Sequence, residues 1–319
     1  MSAQLSRVRR PDFERDLLTQ LAARWGRRAV IKQDELDLDG HYDPDLPDFP
    51  ENLAPVLALP GAGSLDDEAR GQILAAAWIS YNAKTAAVED EVVLPACRLM
   101  LDQRIPVRHD QSAVAVLQQT IIDEHYHILM CHNAVGVTRR RRGLHELDFD
   151  PHGWAVVRGL DECLAGLAGP ARDLTEIGFA LAAETTISAY LSALSTAQGI
   201  QPMNRITTDL HRRDESGHAV IFRELACSLY GRLGPADREL FRSALTAGLA
   251  AFYAPDFDPW VPVARAGEFD VEAGQLVELA AGKPAAARDT GPLQLLLRHL
   301  GISEDLILMT AGQERTPST

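Results

Sequence analysis

The chain has 319 residues, of which 46% are hydrophobic, and its 31 basic and 45 acidic residues give a formal net charge of −14. The length and hydrophobic content indicate a globular protein. The acidic balance argues against nucleic acid or an anionic membrane as the principal partner, since both require a basic face. No uninterrupted apolar run reaches the roughly 18 residues of a membrane span.

The cysteines are widely spaced and contain no C-x-x-C pair; they are Cys97, Cys131, Cys163 and Cys227. This spacing favours reduced thiols over a thiolate zinc site or a disulfide framework. Residues 1–10 are polar and basic and lack the apolar segment of a signal peptide. We therefore expect a cytoplasmic protein.

Helical periodicity dominates the chain, and alternating β-branched runs are scarce. The first predicted helix spans 13–28, and the acidic, proline-rich stretch 34–55 is predicted to be an extended surface segment. Ser64, followed by Asp67, resembles a capping box that begins a helix running to about residue 103, with a bend near Pro95.

Asp110 is predicted to cap a second long helix that ends near residue 135, and the arginines at 139–142 are predicted to form a solvated connector. Asn204 is predicted to cap a later helix, and Pro235 to begin another that ends near residue 253. Further helices are expected at 154–167 and 169–198, followed by a looser segment at 255–284 and two short helices ending near 308.

These elements predict a single all-α domain over residues 1–319, with a four-helix core and additional packing helices. Residues 1–10 and 312–319 are predicted to be flexible tails.

The most specific signal is a repeated motif. Two predicted helices carry Glu-x-x-His, and each is preceded along the chain by a helix with a lone glutamate. The residues are Glu124 and His127, Glu215 and His218, and the lone Glu89 and Glu184. Because residues three apart lie on one helical face, this is the ligand set of a dinuclear carboxylate centre in a four-helix bundle. Carboxylates with imidazoles favour iron or manganese over zinc.

Helical phase distinguishes Glu89 from its neighbour Glu91. The positions that share a face with Glu89 are apolar, whereas those around Glu91 include Lys84 and Arg98. Glu89 is therefore the predicted ligand. Glu184 also lies among apolar positions, where an unpaired carboxylate would be costly and a metal would compensate its charge.

Other polar residues lie close to these motifs. His211 shares a face with Glu215 and His218, and its phase favours a seventh ligand over a hydrogen-bonded core histidine. Asp123 and Asp214 each precede a predicted ligand glutamate. They could accept a hydrogen bond from a ligand histidine or could be plain helix acids, and the sequence leaves both readings open.

The remaining nearby histidines have no second partner at ligand spacing and are predicted to be structural or exposed; they are His125, His132, His145 and His152. Cys131 is predicted to be a small core residue.

The chain resembles the p-aminobenzoate N-oxygenase family. The resemblance rests on WISYN (78–82), IIDEHYH (121–127), AAETTI (182–187), QPM (201–203) and ITTDLHRRDESGH (206–218), with weaker echoes in RRAV (27–30) and YDPDLPDFP (42–50). It implies a ferritin-like fold and an enzyme that binds two iron ions and uses O₂ to oxidise an amine to a hydroxylamine, nitroso or nitro product in specialised metabolism. It also implies that the metal ligands are Glu89, Glu124, His127, Glu184, His211, Glu215 and His218.

The resemblance further implies that Tyr81 lies in the substrate pocket and that Arg288 contacts the substrate; a surface arginine is the alternative for Arg288. The sequence contains no reductase domain or nucleotide motif, so we expect a separate reductase or ferredoxin as electron donor. C–H hydroxylation or desaturation, and iron storage, remain alternative functions. The sequence leaves open whether the chain forms a homodimer.

Overall fold

The structure is a computed structural model that describes residues 11–102, 110–281 and 291–302. Throughout these ranges the chain forms helices joined by loops and short 3₁₀ turns, with no β-strand. The prediction of an all-α helical bundle is confirmed. In chain order the helices are α1 (Pro11–Arg28), α2 (Asp67–Val88), α3 (Leu94–Leu101), α4 (Gln111–Arg142), α5 (Ala155–Leu164), α6 (Gly169–Ser195), α7 (Pro202–Tyr230), α8 (Pro235–Tyr253), α9 (Trp260–Ala266), α10 (Ala273–Ala281) and α11 (Gly291–Leu300).

The centre of the bundle is formed by α2 with its continuation α3, and by α4, α6 and α7. Helix α6 packs against α7 and α8, α2 packs against α4 and α9, and α1 lies across both α4 and α7. By length and hydropathy α6 could cross a membrane, but 72% of its most apolar window is buried inside the bundle. Its apolar character is accounted for by its central position.

A π-helical turn, Glu89–Val93, separates α2 from α3. Pro95 lies in the first turn of α3 and has no N–H to bond the carbonyl group one turn earlier, so the helix widens ahead of it. At the place of the predicted bend near Pro95, the structure has a π-helical turn, in which one extra residue is inserted into the helix.

Lys84 lies in regular α2, ahead of this turn, and pairs with Asp256. The prediction that it shares a solvated face with Glu91 is therefore wrong, whereas Arg98 is exposed as predicted. The side chain of Lys84 is only 14% exposed.

Two predicted helix caps are wrong. Helix α2 is capped by Asp66, whose side chain accepts a hydrogen bond from the backbone N–H of Ala69, rather than by Ser64. Asn204 lies inside α7, which begins at Pro202, and donates a 2.7 Å hydrogen bond to the carbonyl of Asp48. The first turn of α7 is thereby tied to the segment before α2. Asp110 caps α4 as predicted.

Helix α4 extends further than predicted, and the arginines at 139–142 form its last turn. The interpretation as a solvated connector is wrong, because Arg142 Nε lies 2.8 Å from the buried carboxylate of Asp48. The last turn is a favourable position for these cations, since the C-terminal end of a helix carries partial negative charge.

The segment at 34–55 is less extended than predicted. It forms short 3₁₀ turns at Asp39–His41 and Glu51–Leu53, and it buries Asp48 and Phe49. Residues 255–284, predicted to be looser, contain α9 and α10. The predicted tails, 1–10 and 312–319, and the predicted helix end near 308 lie outside the described residues.

Candidate metal centre

The core helices bring the seven predicted ligands together at the centre of the bundle. Glu89 is the first residue of the π-helical turn, α4 carries Glu124 and His127, and α6 carries Glu184. The remaining residues lie on one face of α7: His211, Glu215 and His218. Each of the seven is at most 3% exposed. Whether they bind metal remains a prediction.

Their donor atoms form two overlapping groups, each within 4.8 Å. One group contains Glu89, Glu124, His127, His211 and Glu215, and the other contains Glu124, Glu184, Glu215 and His218. Glu124 and Glu215 belong to both groups and would therefore be the carboxylates common to two bound ions. The group that contains His211 has one donor residue more than the other, so the two groups are unequal.

Both Glu-x-x-His histidines direct Nδ1 toward the cluster. His127 Nδ1 lies 3.0 Å from Glu124 Oε2 and 3.3 Å from Glu215 Oε1. His218 Nδ1 lies 2.8 Å from Glu124 Oε1 and 3.3 Å from Glu215 Oε1. The two ring nitrogens nearest the shared carboxylates therefore come from α4 and α7.

Several of these donor atoms are buried without a hydrogen-bond partner, which tests the fit to a metal. They are both carboxylate oxygens of Glu89, Glu124 Oε1, Glu184 Oε2, Glu215 Oε2 and His211 Nε2. His211 Nε2 and Glu89 Oε1 are 2.7 Å apart without hydrogen-bond geometry. Buried polar atoms are costly when unsatisfied. Close approach without mutual alignment is expected of ligands that converge on a third atom, so these residues fit a metal pair.

The pKa shifts of the cluster carboxylates also favour a bound cation. Burial raises the pKa of Glu184 well above its ordinary value, and the neighbouring charges of Glu215 and Glu124 raise it further. Burial also acts to raise the pKa of Glu215, but the charge of His218 and hydrogen bonds with the surrounding histidines hold it well below its ordinary value. Four carboxylates packed this closely require positive charge to remain ionised.

The two aspartates contact histidines of the opposite helix. Asp214 Oδ2, on α7, lies 3.3 Å from His127 Nε2, and Asp123 Oδ2, on α4, lies 3.2 Å from His218 Nε2. Each carboxylate is placed to accept the N–H of a ring whose other nitrogen faces the cluster. Such a partner fixes the tautomer and orientation of a metal-binding histidine.

The other residues that were predicted not to bind metal are either exposed to solvent, half-buried or buried as a neutral group. The remaining histidines of these motifs are exposed: His125, His132, His145 and His152. Cys131 is buried, and burial raises the pKa of its thiol far above the ordinary value, so it is a neutral core residue. Glu91 is half-buried, in contrast to the fully buried Glu89.

A cavity of about 590 Å³ is lined in part by Tyr81 of α2. Its other aromatic lining residues are Phe49, Trp154, Tyr190, Phe252, Tyr253 and Trp260. The rings of Tyr81 and Tyr190 are stacked, with centroids 4.5 Å apart. Burial raises the pKa of Tyr81 well above its ordinary value, and Glu89 is near enough for its charge to contribute. Tyr81 therefore lines this cavity and is near enough to Glu89 to be affected by its charge.

The cavity wall also contains an ion pair that the sequence did not reveal. Lys84 Nζ lies 2.6 Å from Asp256 Oδ2, and Asp256 Oδ1 accepts a 2.6 Å hydrogen bond from the backbone N–H of Ala155. Both side chains are largely buried. Lys84 and Asp256 are far apart in sequence, so no local motif could have paired them.

Two further residues near the centre were missed as contributors to the site. Trp25 and Arg28, in the last two turns of α1, contact the buried aspartates. The only sequence signal was RRAV (27–30), a weak element of the resemblance. Arg288, the predicted substrate contact, lies outside the described residues.

The fold and the cluster define a helical-bundle protein whose carboxylate–histidine centre is compatible with a di-iron site. The sequence matches the model of the p-aminobenzoate N-oxygenase AurF family over residues 12–301. It is also 32% identical over 242 residues to the 4-aminobenzoate N-oxygenase of Streptomyces thioluteus, covering 75% of this chain and 72% of that protein. The chain belongs to the p-aminobenzoate N-oxygenase family, and the predicted resemblance is confirmed.

Proposed function

We propose that this protein is an O₂-dependent di-iron monooxygenase that N-oxygenates a small aromatic amine in specialised metabolism. The observation that carries the proposal is the pair of buried donor groups that share Glu124 and Glu215. Membership of an N-oxygenase family supports the reaction, and the aromatic cavity beside Tyr81 supports the substrate class.

The donor set is suited to two divalent ions. The negative charges of four carboxylates would be balanced by two Fe²⁺ ions, with neutral imidazoles completing the coordination. Oxygen-rich ligation with imidazole suits iron or manganese. When bound, an iron pair supplies the ability to reduce dioxygen and transfer one of its oxygen atoms, which the protein's side chains do not have.

The first oxygenation of the amine requires two electrons from outside the site. In the first step, R–NH₂, O₂, two electrons and two protons give R–NHOH and water; later oxidations lead to nitroso and nitro products. We propose that a separate reductase or ferredoxin supplies the electrons.

The four cysteines are free, with Cys97 and Cys131 buried. Free thiols support a cytoplasmic location, where such donors operate.

The cavity would orient the amine. Its aromatic walls can stack on a flat ring, and Tyr81 would be the contact nearest the cluster. Because its pKa is raised, the phenol of Tyr81 keeps its proton and can donate a hydrogen bond. The burial of the seven cluster residues would exclude bulk water from the reacting nitrogen.

Two alternative functions can be distinguished from this proposal. The same centre could hydroxylate or desaturate a C–H bond, but the 32% identity to a 4-aminobenzoate N-oxygenase favours nitrogen as the reacting atom. Iron storage normally uses a short bundle assembled into a cage, whereas this chain adds α1, α5 and α8–α11 around the core. A native mass of one or two chains would exclude a cage.

The test is to load the protein anaerobically with iron, reduce it, add ¹⁸O₂ and screen aromatic and aliphatic amines by mass spectrometry. We expect about two irons per chain and ¹⁸O on the nitrogen of an aromatic amine. Glu124→Ala and Glu215→Ala should abolish turnover, because each removes a donor common to both groups. One bound zinc, or ¹⁸O found only on carbon, would contradict the proposal.

A further inference from the structure

Arg28 is the last residue of α1 and contacts the two aspartates that face the cluster histidines. Its Nη1 donates a 2.9 Å hydrogen bond to the carbonyl of Asp214 and lies 3.4 Å from Asp214 Oδ1. Its Nη2 lies 3.6 Å from Asp123 Oδ2. One guanidinium therefore spans the two carboxylates that face the cluster histidines.

The same stretch of chain supplies further donors to these carboxylates. Trp25 Nε1 lies 2.8 Å from Asp123 Oδ1 and 3.0 Å from Oδ2. The backbone N–H of Val30 donates to Asp214 Oδ2 at 3.0 Å. Residues 25–30 thus fix both aspartates, and Arg28 is the side chain that joins the two.

A glycine within the second motif makes room for this arginine. Gly217 lies between Glu215 and His218, and a Cβ at this position would lie 2.4 Å from Arg28 Nη1 and 2.7 Å from its Cζ. A larger residue would displace the guanidinium, the mobile end of a long side chain, rather than backbone. The absence of a side chain at Gly217 therefore leaves the space that the guanidinium of Arg28 occupies.

We propose that Arg28 is a positioning residue that holds Asp123 and Asp214 against His218 and His127, and thereby strengthens metal binding in both halves of the centre. The physical reason is that a carboxylate held in place fixes the ring orientation and tautomer of its histidine. The guanidinium of Arg28 also attracts both carboxylates, from which its nitrogens lie 3.4 and 3.6 Å away. This inference rests on the metal-binding part of the proposed function.

The test compares four variants of the full chain: Arg28→Gln, Arg28→Lys, Gly217→Ala and, as a control, Arg27→Gln. Arg27 is the exposed neighbour on the same helix. For each variant, anaerobic Fe²⁺ titration gives the affinity, and competition with a chelator gives the rate of iron loss. The melting temperature of the metal-free protein reports folding separately.

We expect Arg28→Gln and Gly217→Ala to weaken iron binding by up to about tenfold, the lower end of the range for direct partners of metal ligands. The loss is limited because Trp25 and Val30 still hold the aspartates. Arg28→Lys should recover part of the loss, and Arg27→Gln should match the wild type. Gly217→Ala should leave the metal-free melting temperature unchanged or higher, because alanine favours a helix over glycine. Its iron affinity and its stability would then change in opposite directions.

Wild-type iron affinity in both Arg28→Gln and Gly217→Ala would overturn the inference. So would an Arg28→Gln variant that lowers only the metal-free melting temperature, since Arg28 would then merely anchor α1. If Arg28→Gln does not fold, wild-type affinity in Gly217→Ala suffices to overturn it. A wild-type protein that binds no iron would instead refute the proposed function, and this inference with it.

Discussion

Asp123 on α4 contacts His218 on α7, with Oδ2 of the carboxylate 3.2 Å from the ring Nε2. The reciprocal contact joins Asp214 on α7 to His127 on α4. Each helix that carries a Glu-x-x-His motif therefore orients the histidine of the other. The two halves of the centre are coupled through these crossed pairs as well as through the shared carboxylates.

The crossed pairing predicts which half of the centre each aspartate supports. Asp123→Ala should weaken metal binding beside Glu184 and His218 by roughly 10- to 100-fold, with a smaller effect beside His127. Anomalous diffraction at the iron edge from iron-loaded crystals would measure the occupancy of each position. Asp214→Ala is the matched variant and should deplete the opposite position. Loss on the same-helix side in both variants would contradict the crossed arrangement.

Glu89 and Glu91 provide a second comparison within one helical turn. Glu89→Ala should lower the iron content toward one ion per chain, because a buried donor of the first group is lost. Glu91→Ala should leave iron content and turnover near the wild-type level, because its side chain lies outside both groups. Metal analysis of the two purified variants decides between them. Retention of the cluster in Glu89→Ala together with its loss in Glu91→Ala would show that the phase assignment is wrong.

His211→Ala should fold and retain partial iron binding, since the other six cluster residues remain. It should change the rate at which the reduced, iron-loaded protein reacts with oxygen, because removal of one imidazole alters the donor set of one half only. Stopped-flow absorption after mixing with oxygen measures this rate. Traces identical to those of the wild type would mean that His211 is a core histidine without a role at the metal.

Arg288 remains a predicted contact for a substrate carboxylate. Arg288→Lys keeps the charge but loses the planar fork needed for bidentate recognition. Loss of a charge-assisted hydrogen bond costs about 1.5–3 kcal/mol, so KM for a carboxylated amine should rise roughly ten- to a hundredfold. An amine without the carboxylate should be little affected. Equal effects on the two substrates would remove Arg288 from the site.

Gly248 allows α8 to approach α6 closely. A Cβ at this position would lie 2.5 Å from the carbonyl oxygen of Phe179 and 3.0 Å from Ala182 Cβ. Gly248→Ala should therefore destabilise the protein by about 1–3 kcal/mol through overpacking. Gly71→Ala in α2 is the control, since nothing lies within 4 Å of its Cβ position, and it should be neutral or stabilising by up to about 1 kcal/mol. Urea unfolding of both variants measures the difference, and equal stability would show that α8 can move away without cost.

The sequence by itself determined the all-α class and the faces of the helices that carry the cluster. Both follow from local physics, because the 3.6-residue repeat fixes which residues share a face. The spacing of Glu124 and His127, repeated at Glu215 and His218, therefore specified the donor groups before the helices were packed. Apolar surroundings likewise identified Glu89 and Glu184 as buried.

Only the tertiary structure decided which residues meet across helices. The crossed pairs, the ion pair of Lys84 with Asp256 and the contact of Arg28 with Gly217 join positions far apart along the chain. The π-helical turn at Glu89–Val93 also inserts a residue that regular helical spacing does not anticipate. Helical periodicity orders residues along one element, whereas packing sets the relative position of two elements. For that reason helical periodicity identified the donor residues of the cluster, and the packing of α1, α4 and α7 decided what holds them in place.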